Sequence, residues 1–255
     1  MLRRLAAVAL IACWCAPAAA LVGGASVVTG TGVGRHLVLI VGSRSNFCTG
    51  TAIARDLVLT VAHCVLPGAE YKIVEYDAAH QPALKAVTSV ARHPGFKLEA
   101  MLAHRATADV ALLKLAAPLP VAIAPVPLAI RTAFGVGDRF TVAGYGVAVR
   151  GDGKTGGTAR AATLVATGRP GTLQVRLVDP ASMGERAGLG ACTGDSGAPA
   201  FEEAGANAAV VGVVSWSTGP GGSDGCGGLT GLTPLVLYRD WIANTARQLG
   251  SPLGP

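Results

Sequence analysis

Apolar and polar side chains alternate along most of the chain, and a period of two is the pattern of half-buried β-strands. The apolar runs are short, rich in Val, Leu, Ile and Thr, and separated by Gly, Pro and Asp. Ten segments are predicted as strands: 36–41, 51–53, 57–61, 71–76, 85–92, 110–114, 139–143, 163–167, 173–178 and 210–216. Ten or more short strands indicate an all-β sandwich or barrels.

A proline-rich stretch divides this pattern into two halves of similar size. Residues 116–127 contain Pro118, Pro120, Pro125 and Pro127, which cannot donate to a regular ladder, so we predict an extended connector there. The boundary near residue 120 gives expected domains at 21–120 and 121–255. Helical spacing appears in the tail, where a helix is predicted at about 234–249, packed on the second half.

The first 20 residues are typical of an export signal and not of the fold. Arg3 and Arg4 supply a positive start, an apolar run follows, and Ala20 closes a small-residue cleavage site. We expect removal of residues 1–20 and a secreted or periplasmic protein. An alternative stays open, because the residues before Cys13 also resemble a bacterial lipobox, in which Cys13 would carry a lipid anchor.

Composition excludes several classes of protein. Of 255 residues, 51% are hydrophobic and 14% charged, which excludes a disordered polyelectrolyte. Beyond the leader, charged residues and glycine-rich turns break every apolar run before membrane-spanning length, so no stable membrane span is expected. The net charge is +6 but without a basic run or interleaved aromatic residues, so nucleic acid is a poor candidate partner.

Cysteine usage points to disulfides. Loss of the leader removes Cys13 and Cys15 from the six cysteines and leaves four, an even number in an oxidising compartment. Two disulfides are predicted, with three connectivities open at this point. No metal site is predicted, because the remaining chain has neither a C-x-x-C nor an H-E-x-x-H motif. No cofactor is expected.

Candidate chemistry concentrates in three places. His63 ends a hydrophobic strand beside Cys64, Asp109 begins an apolar strand, and Ser196 lies between glycines in Gly194-Asp195-Ser196-Gly197. Each alone fits a structural role: a packed histidine, a turn aspartate and a Gly/Ser turn. Together they provide the nucleophile, the base that takes its proton and the carboxylate that orients the base.

With these motifs the chain resembles the chymotrypsin and trypsin-like serine proteases. Thr60-Val61-Ala62-His63-Cys64 is similar to the family's histidine motif, and the segments beginning at Asp109 and Gly194 to its aspartate and serine motifs. Lesser matches in chain order, from Val22 to Ile242, extend the resemblance over the whole mature chain. It implies a secreted, bacterial-type member with two disulfides, folded as two six-stranded antiparallel β-barrels with a C-terminal α-helix.

The resemblance also implies roles for individual residues. His63, Asp109 and Ser196 would form the catalytic triad in a cleft between the barrels, and the N–H groups of Gly194 and Ser196 the oxyanion hole. Substrate-binding positions would be Gly190, Ser215, Trp216, Ser217 and Gly231, with Ser215 also supporting Asp109. The uncharged Gly190, the partial wall at Ser217 and an open wall at Gly231 favour a small to medium, uncharged P1 residue. Asp224 offers the alternative of a basic P1 preference.

Further implications concern bridges, activation and partners. Cys48 would pair with Cys64 and Cys192 with Cys226, while no cysteine between Arg169 and Gly190 is present to brace the loop before the serine. Leu21, freed by removal of the leader, would pair through its α-amino group with Asp195. Partners would be protein or peptide substrates and proteinaceous inhibitors, and a monomer is expected.

Three alternatives compete with a protease, and chain order excludes the first of them. An α/β-hydrolase would place its histidine after the serine, but all five histidines precede Ser196: His36, His63, His80, His93 and His104. A secreted esterase on the trypsin-like fold stays open, because acyl transfer to serine also cleaves esters. A binding pseudo-protease is disfavoured by the intact His63, Asp109 and Ser196.

Overall fold

The computed structural model describes residues 21–28, 30–76, 81–103, 105–131, 133–168, 173–203 and 207–254. The predicted leader, with its cleavage site at Ala20 and the alternative lipid site at Cys13, lies outside these residues, as do His80 and His104. Within the described ranges the chain forms thirteen strands and two α-helices. The predicted all-β class of two barrels with a C-terminal helix is confirmed.

The first barrel closes from six antiparallel strands. They are β2 (Leu37–Gly42), β3 (Phe47–Ala54), β4 (Leu57–Thr60), β5 (Tyr71–Tyr76), β6 (Pro82–Arg92) and β7 (Ala111–Leu115). The closed order is β2-β3-β4-β7-β6-β5. Alternate side chains point inward, and Ile40, Leu59, Ile73 and Leu113 are buried in the core.

The second barrel also has six strands. They are β8 (Arg139–Gly144), β9 (Arg160–Gly168), β10 (Val175–Val178), β11 (Pro199–Phe201), β12 (Val210–Ser217) and β13 (Thr230–Pro234). The sheet order is β9-β10-β13-β12-β11-β8, and pairing of β8 with β9 closes it. Its core includes Phe140, Leu164, Leu177 and Leu232. The sequence pattern did not predict β11 and β13. Strand β11 has three residues and begins at a proline, and β13 has five residues that include a glycine and a proline, so neither shows a clear alternation of apolar and polar positions.

The N-terminal segment packs on the second barrel. The predicted domain 21–120 had instead grouped this segment with the first barrel. Strand β1 (Ser26–Val27) pairs antiparallel with β9, and Leu21 and Ala25 are buried in the second core. A two-residue strand has no readable period, so its choice of partner sheet could not be inferred from the sequence.

The C-terminal helix, which follows the second barrel in sequence, packs against the first barrel. Helix α2 (Arg239–Gln248) is shorter than the predicted 234–249, because Leu235–Leu237 forms a 3-10 turn. It packs against β7, and its Ile242 and Ala246 lie in a core cluster made mostly of first-barrel residues, with Phe201 and Val213 of the second barrel, so its packing is not confined to the second half as expected. The other helix, α1 (Leu98–Leu102), lies in the loop that leads to Asp109.

The connector joins the two barrels by backbone hydrogen bonds to both. The N–H of Val126 donates to the carbonyl of Ala52 at 2.9 Å, and that of Ala129 to the carbonyl of Val210 at 3.0 Å. This agrees with an extended connector beside residue 120. Among the described residues, no helix has the length and apolarity to cross a membrane.

Candidate active site

His63 lies on the 3-10 turn Ala62–Val65 directly after β4, and Asp109 lies just before β7. Because β4 and β7 are neighbours, the two side chains meet: Nδ1 of His63 is 2.7 Å from Oδ2 of Asp109. The backbone N–H of His63 also donates to Oδ1 at 3.0 Å. An ionised carboxylate can only accept, so Nδ1 carries the ring proton and Nε2 is the basic nitrogen.

Ser215 on β12 reaches the same carboxylate from the second barrel. Its hydroxyl donates to Oδ2 of Asp109 at 2.5 Å, and the Asp109 side chain is only 1% exposed. The carboxylate thus accepts from the His63 ring, the His63 backbone and Ser215. These bonds satisfy the buried charge and hold the imidazole in one orientation.

Ser196 lies in the turn before β11, half-buried, and its backbone is bound to the first barrel. Its carbonyl accepts from the N–H of Thr49 at 2.9 Å. The sulfur of Cys64, the residue after His63, lies 3.8 Å from the same carbonyl oxygen. The next residue, Gly197, donates its N–H to the carbonyl of Val214 at 2.7 Å. The structure therefore brings the serine turn against the loop that carries His63.

The glycines around Ser196 are required by close packing. Gly194 has φ +94°, and a Cβ there would lie 2.1 Å from the ring of Phe47. Its carbonyl accepts from the hydroxyl of Thr49 at 2.9 Å, which orients the peptide. No described residue accepts a hydrogen bond from the N–H of Gly194 or of Ser196. Two N–H groups left open in this way are suited to receive an oxyanion.

Asp195 is completely buried beside this turn. Its oxygens accept from the N–H groups of Gly146 at 2.9 Å and Cys192 at 3.0 Å. Burial raises its pKa to about 7, against the opposing effects of these N–H groups and of the Arg160 charge. A Cβ at Gly146 would lie 2.4 Å from the carboxyl carbon, so this glycine provides the space that Asp195 occupies.

The predicted activation residue Leu21 is fully buried in the second core, and its neighbour Val22 forms a β-bridge with Gly190. The N-terminal segment is therefore packed against the strand end that leads to the serine turn. The sequence resemblance had assigned Leu21 to this region. It gave no indication that Gly23 packs tightly on Gly188, where a Cβ at Gly23 would lie 2.3 Å from the Gly188 backbone.

Two backbone segments approach each other closely at Gly190, one of the predicted substrate-binding residues. A Cβ at Gly190 would lie 3.0 Å from the Cα of Gly227, so the two backbones approach closely. The hydroxyl of Ser217 donates to the carbonyl of Gly225 at 3.3 Å. Asp224 is exposed, and its carbonyl accepts from Arg150 at 2.7 Å. These contacts leave an uncharged lining at Gly190.

Gly231 has a different role from the open pocket wall that we predicted. A Cβ there would lie 2.0 Å from the indole of Trp216, which is its partner across β12 and β13. The space left by the missing side chain is thus filled by Trp216. The resemblance could not reveal this, because the packing depends on the register between the two strands.

Both predicted disulfides are present in the structure. Cys48 is bonded to Cys64 with a Cα–Cα distance of 6.3 Å, and Cys192 to Cys226 at 4.8 Å. The first joins β3 to the His63 turn, and the second joins the serine turn to the loop after Ser217. Sequence reasoning missed Phe47 and Thr49, whose only signal was their closeness to Cys48.

Comparison with known proteins agrees with this architecture. The family model described as trypsin matches residues 21–242. Rhinocerase 4, a snake venom serine protease from Bitis rhinoceros, is 26% identical over 215 residues, covering 82% of this chain and 81% of that protein. Trypsin from Sarcophaga bullata is 31% identical over 231 residues, covering 80% and 81%.

A solved structure, human heparin binding protein, superposes with a TM-score of 0.66 at 25% identity and covers 92% of this chain and 100% of its own. These relatives come from a snake, an insect and a human, so a bacterial-type member stays a prediction. The match of the family model over most of the chain, together with the two closed barrels, shows that the chain belongs to the trypsin family of serine proteases.

Proposed function

We propose that this chain is a secreted serine endopeptidase in which Ser196 is the nucleophile, His63 the general base and Asp109 its orienting acid. The observation that carries the proposal is the buried Asp109 carboxylate, which is held at 2.7 Å from the His63 ring and 2.5 Å from the Ser215 hydroxyl. A carboxylate fixed in this way selects the reactive tautomer and stabilises the imidazolium that forms.

These proposed roles imply the following reaction. As Oγ of Ser196 bonds to the scissile carbonyl carbon, its proton passes to Nε2 of His63. The carbonyl oxygen becomes an oxyanion, which accepts from the N–H groups of Gly194 and Ser196. The imidazolium then protonates the leaving amine as the C–N bond breaks, and water repeats the cycle on the acyl-enzyme. Loss of one oxyanion donor typically costs about 10²–10³ in rate.

For specificity we propose an uncharged P1 residue of small to medium size. The close approach of Gly190 to Gly227 leaves little depth, and Gly190 itself contributes no charged side chain to that floor. The hydroxyl of Ser217, bonded to the Gly225 carbonyl, narrows the entrance. Asp224 does not favour a basic P1 residue, since it is exposed and linked through its carbonyl to Arg150. The backbone at residues 215–217 would pair with the substrate as an added strand.

For activation we propose that removal of residues 1–20 creates the working N-terminus. The freed α-amino group of Leu21 would supply a cation to Asp195, which is buried, accepts from the N–H groups of Gly146 and Cys192, and has its pKa raised by burial despite the Arg160 charge. The burial of Leu21 and the bridge from Val22 to Gly190 support this, because they place the segment against the serine turn. The same cleavage after Ala20 would release the protein by export, rather than leave it anchored by a lipid at Cys13.

We further propose that the released protein is a monomer that acts on protein or peptide substrates and can bind proteinaceous inhibitors.

The test is cleavage profiling of a peptide library with the exported protein, with Ser196→Ala as the matched control. We expect cleavage after small uncharged residues by the wild type and none by the variant. Hydrolysis of long-chain esters without peptide cleavage would instead show an esterase on this fold. Binding of peptides with no turnover of either substrate would show a pseudo-protease.

A further inference from the structure

The loop between β10 and the serine turn carries no disulfide, yet its two ends are joined by a buried side chain. Asp179 follows β10 directly and is 7% exposed. Its Oδ1 accepts from the N–H of Ala181 at 2.9 Å, and its Oδ2 accepts from the N–H of Leu189 at 3.0 Å. One carboxylate thus bonds the first turn of the loop and its last residue before Gly190.

The backbone of Asp179 strengthens the same turn. Its carbonyl accepts from the N–H groups of Ser182 at 3.2 Å and Met183 at 2.8 Å. Among the described residues Asp179 forms no ion pair, and its carboxylate accepts from the N–H groups of the loop itself. A buried carboxylate is retained at such a position when its hydrogen bonds offset the cost of desolvation.

Gly188 shows how closely the loop is fitted to this carboxylate. A Cβ at Gly188 would lie 2.3 Å from Oδ2 of Asp179 and 2.6 Å from the hydroxyl of Ser182. On its other side, Gly188 donates its N–H to the carbonyl of Gly227 at 3.0 Å. Asp179 therefore holds residues 188–189, which directly precede Gly190 and bond to Gly227, the two residues that we propose to narrow the P1 pocket.

We propose that Asp179 is a positioning residue that sets the floor of the P1 pocket, doing through hydrogen bonds what a covalent bridge would do for this loop. The proposal rests on the proposed function in taking Gly190 as the pocket floor. Loss of the carboxylate frees Leu189 and lets Gly190 shift, while the His63 and Ser196 geometry is held separately by Asp109, Thr49 and Ser215.

The experiment compares Asp179→Asn and Asp179→Ala with the wild type. Asp138→Asn is the control, because Asp138 also accepts a loop N–H, from Gly135 at 2.7 Å, but lies at the start of β8. For a peptide with a small P1 residue, we expect KM to rise by about tenfold in Asp179→Ala and by less in Asp179→Asn. Phosphorylation of Ser196 by diisopropyl fluorophosphate, which does not need a deep pocket, should stay within about threefold.

Gly188→Ala provides a second route to the same effect, since its methyl group must displace the carboxylate. An equal fall in kcat and phosphorylation rate, or an unchanged KM, would overturn the proposal. Hydrogen exchange at the amides of Ala181 and Leu189 gives a readout without turnover: exchange should be faster in Asp179→Asn than in the wild type, and unchanged exchange also overturns the proposal. If the wild-type protein cleaves no peptide, the proposed endopeptidase function is overturned. The hydrogen-exchange measurement then still tests whether Asp179 holds the loop, because it does not depend on peptide cleavage.

Discussion

At the scale of single residues, Ser215 connects the second barrel to the His63 and Asp109 pair by a hydrogen bond from its hydroxyl. It donates to the same Oδ2 atom that accepts from the His63 ring. Since Asp109 is 1% exposed, water cannot easily replace a lost donor. The orientation of His63 therefore depends on a residue more than a hundred positions away in sequence.

Ser215→Ala is expected to lower kcat/KM by about 10- to 100-fold, because a hydrogen bond to a charged group contributes about 1.5–3 kcal/mol and each 1.4 kcal/mol is about a factor of ten in rate. The measurement is steady-state hydrolysis of a peptide substrate, with Ser43→Ala as the control. Ser43 lies in an exposed turn of the first barrel, where its hydroxyl accepts from the N–H of Glu70 at 3.1 Å. Equal rates for Ser215→Ala and wild type would contradict the role assigned to Ser215.

His36 is a second residue whose chemistry is set by burial. Its Nδ1 lies 2.6 Å from the carbonyl of Ala124 in the connector, and its Nε2 accepts from Arg35 at 3.3 Å. Burial lowers its pKa, and the neighbouring Arg35 charge acts in the same direction against the bond to Ala124. A lowered histidine pKa favours the neutral ring, so its contribution to stability is present above pH 6.5 and is lost as pH falls through the folded-state pKa.

We therefore expect His36→Gln to reduce the loss of stability between pH 7.5 and pH 5. The measurement is the urea midpoint of both proteins at each pH. The difference between the two proteins isolates His36, because His93, whose pKa burial also lowers, titrates in both. Parallel pH dependences would contradict this prediction.

At the scale of elements, the chain after helix α2 is fastened to the first barrel by three side chains. Lys114 on β7 donates to Asp56 and to Ser251, each at 2.5 Å, and the Ser251 hydroxyl donates to Asp56 at 2.6 Å. Ser251 is 5% exposed and serves as both acceptor and donor. This cluster, with Ile242 in the core, explains why the helix packs across on the first barrel.

Ser251→Ala is expected to reduce the free energy of unfolding by about 1 kcal/mol, because it removes two hydrogen bonds that each contribute about 0.5 kcal/mol between partly exposed partners. For a chain of this size that corresponds to a fall in Tm of about 2–4 °C. Calorimetry of the variant beside Ser223→Ala, a change in an exposed loop, provides the measurement. Activity should stay at the wild-type value, since the cluster lies apart from His63 and Ser196. An unchanged Tm would show that the cluster does not hold the tail.

At the scale of the whole molecule, each end of the chain packs on the barrel formed mainly by the other end, and under the proposed activation this packing would connect leader removal to the serine turn. The N-terminal segment packs on the second barrel, where Asp195 is buried with a pKa raised to about 7 by burial. In the chain that still carries residues 1–20, this raised pKa favours the protonated acid. The stability it contributes is present below pH 3.8 and is lost as pH rises through about 7.

Asp195→Asn is therefore expected to have opposite effects in two forms of the protein. In the chain that retains residues 1–20, it should raise the urea midpoint at pH 8, because it removes a buried charge whose desolvation outweighs the stabilising effects of its two N–H donors and of Arg160. In the chain that begins at Leu21, it should lower both the midpoint and the peptidase activity, because the α-amino group loses its partner. Asp152→Asn, an exposed cap, is the control in both forms.

Full peptidase activity of the chain that retains residues 1–20 would refute this account of activation. Equal changes of the midpoint in the two forms would do the same. The two measurements are independent, because the first reports the order of the serine turn and the second the charge state of Asp195.

Much of the fold was predictable from local pattern. The segment 71–76 was predicted with its observed ends, and most of the other nine strands to within a few residues, because a closed barrel requires alternating burial. Strand β3 was predicted at 51–53 but extends over Phe47–Ala54, since threonine and glycine interrupt the hydrophobic alternation there. The Gly231 role was predicted incorrectly, because the register of β12 and β13 brings the Trp216 ring to it.

The sequence by itself determined the class of fold and the set of reactive groups, since strand period, chain order and residue type are local properties. Only the tertiary structure decided which barrel receives each chain end, that Ser215 and the His63 ring share one oxygen of Asp109, and that Asp179 closes the loop before Gly190. These are contacts between distant segments, and they depend on register and close packing, for which a linear pattern contains no signal.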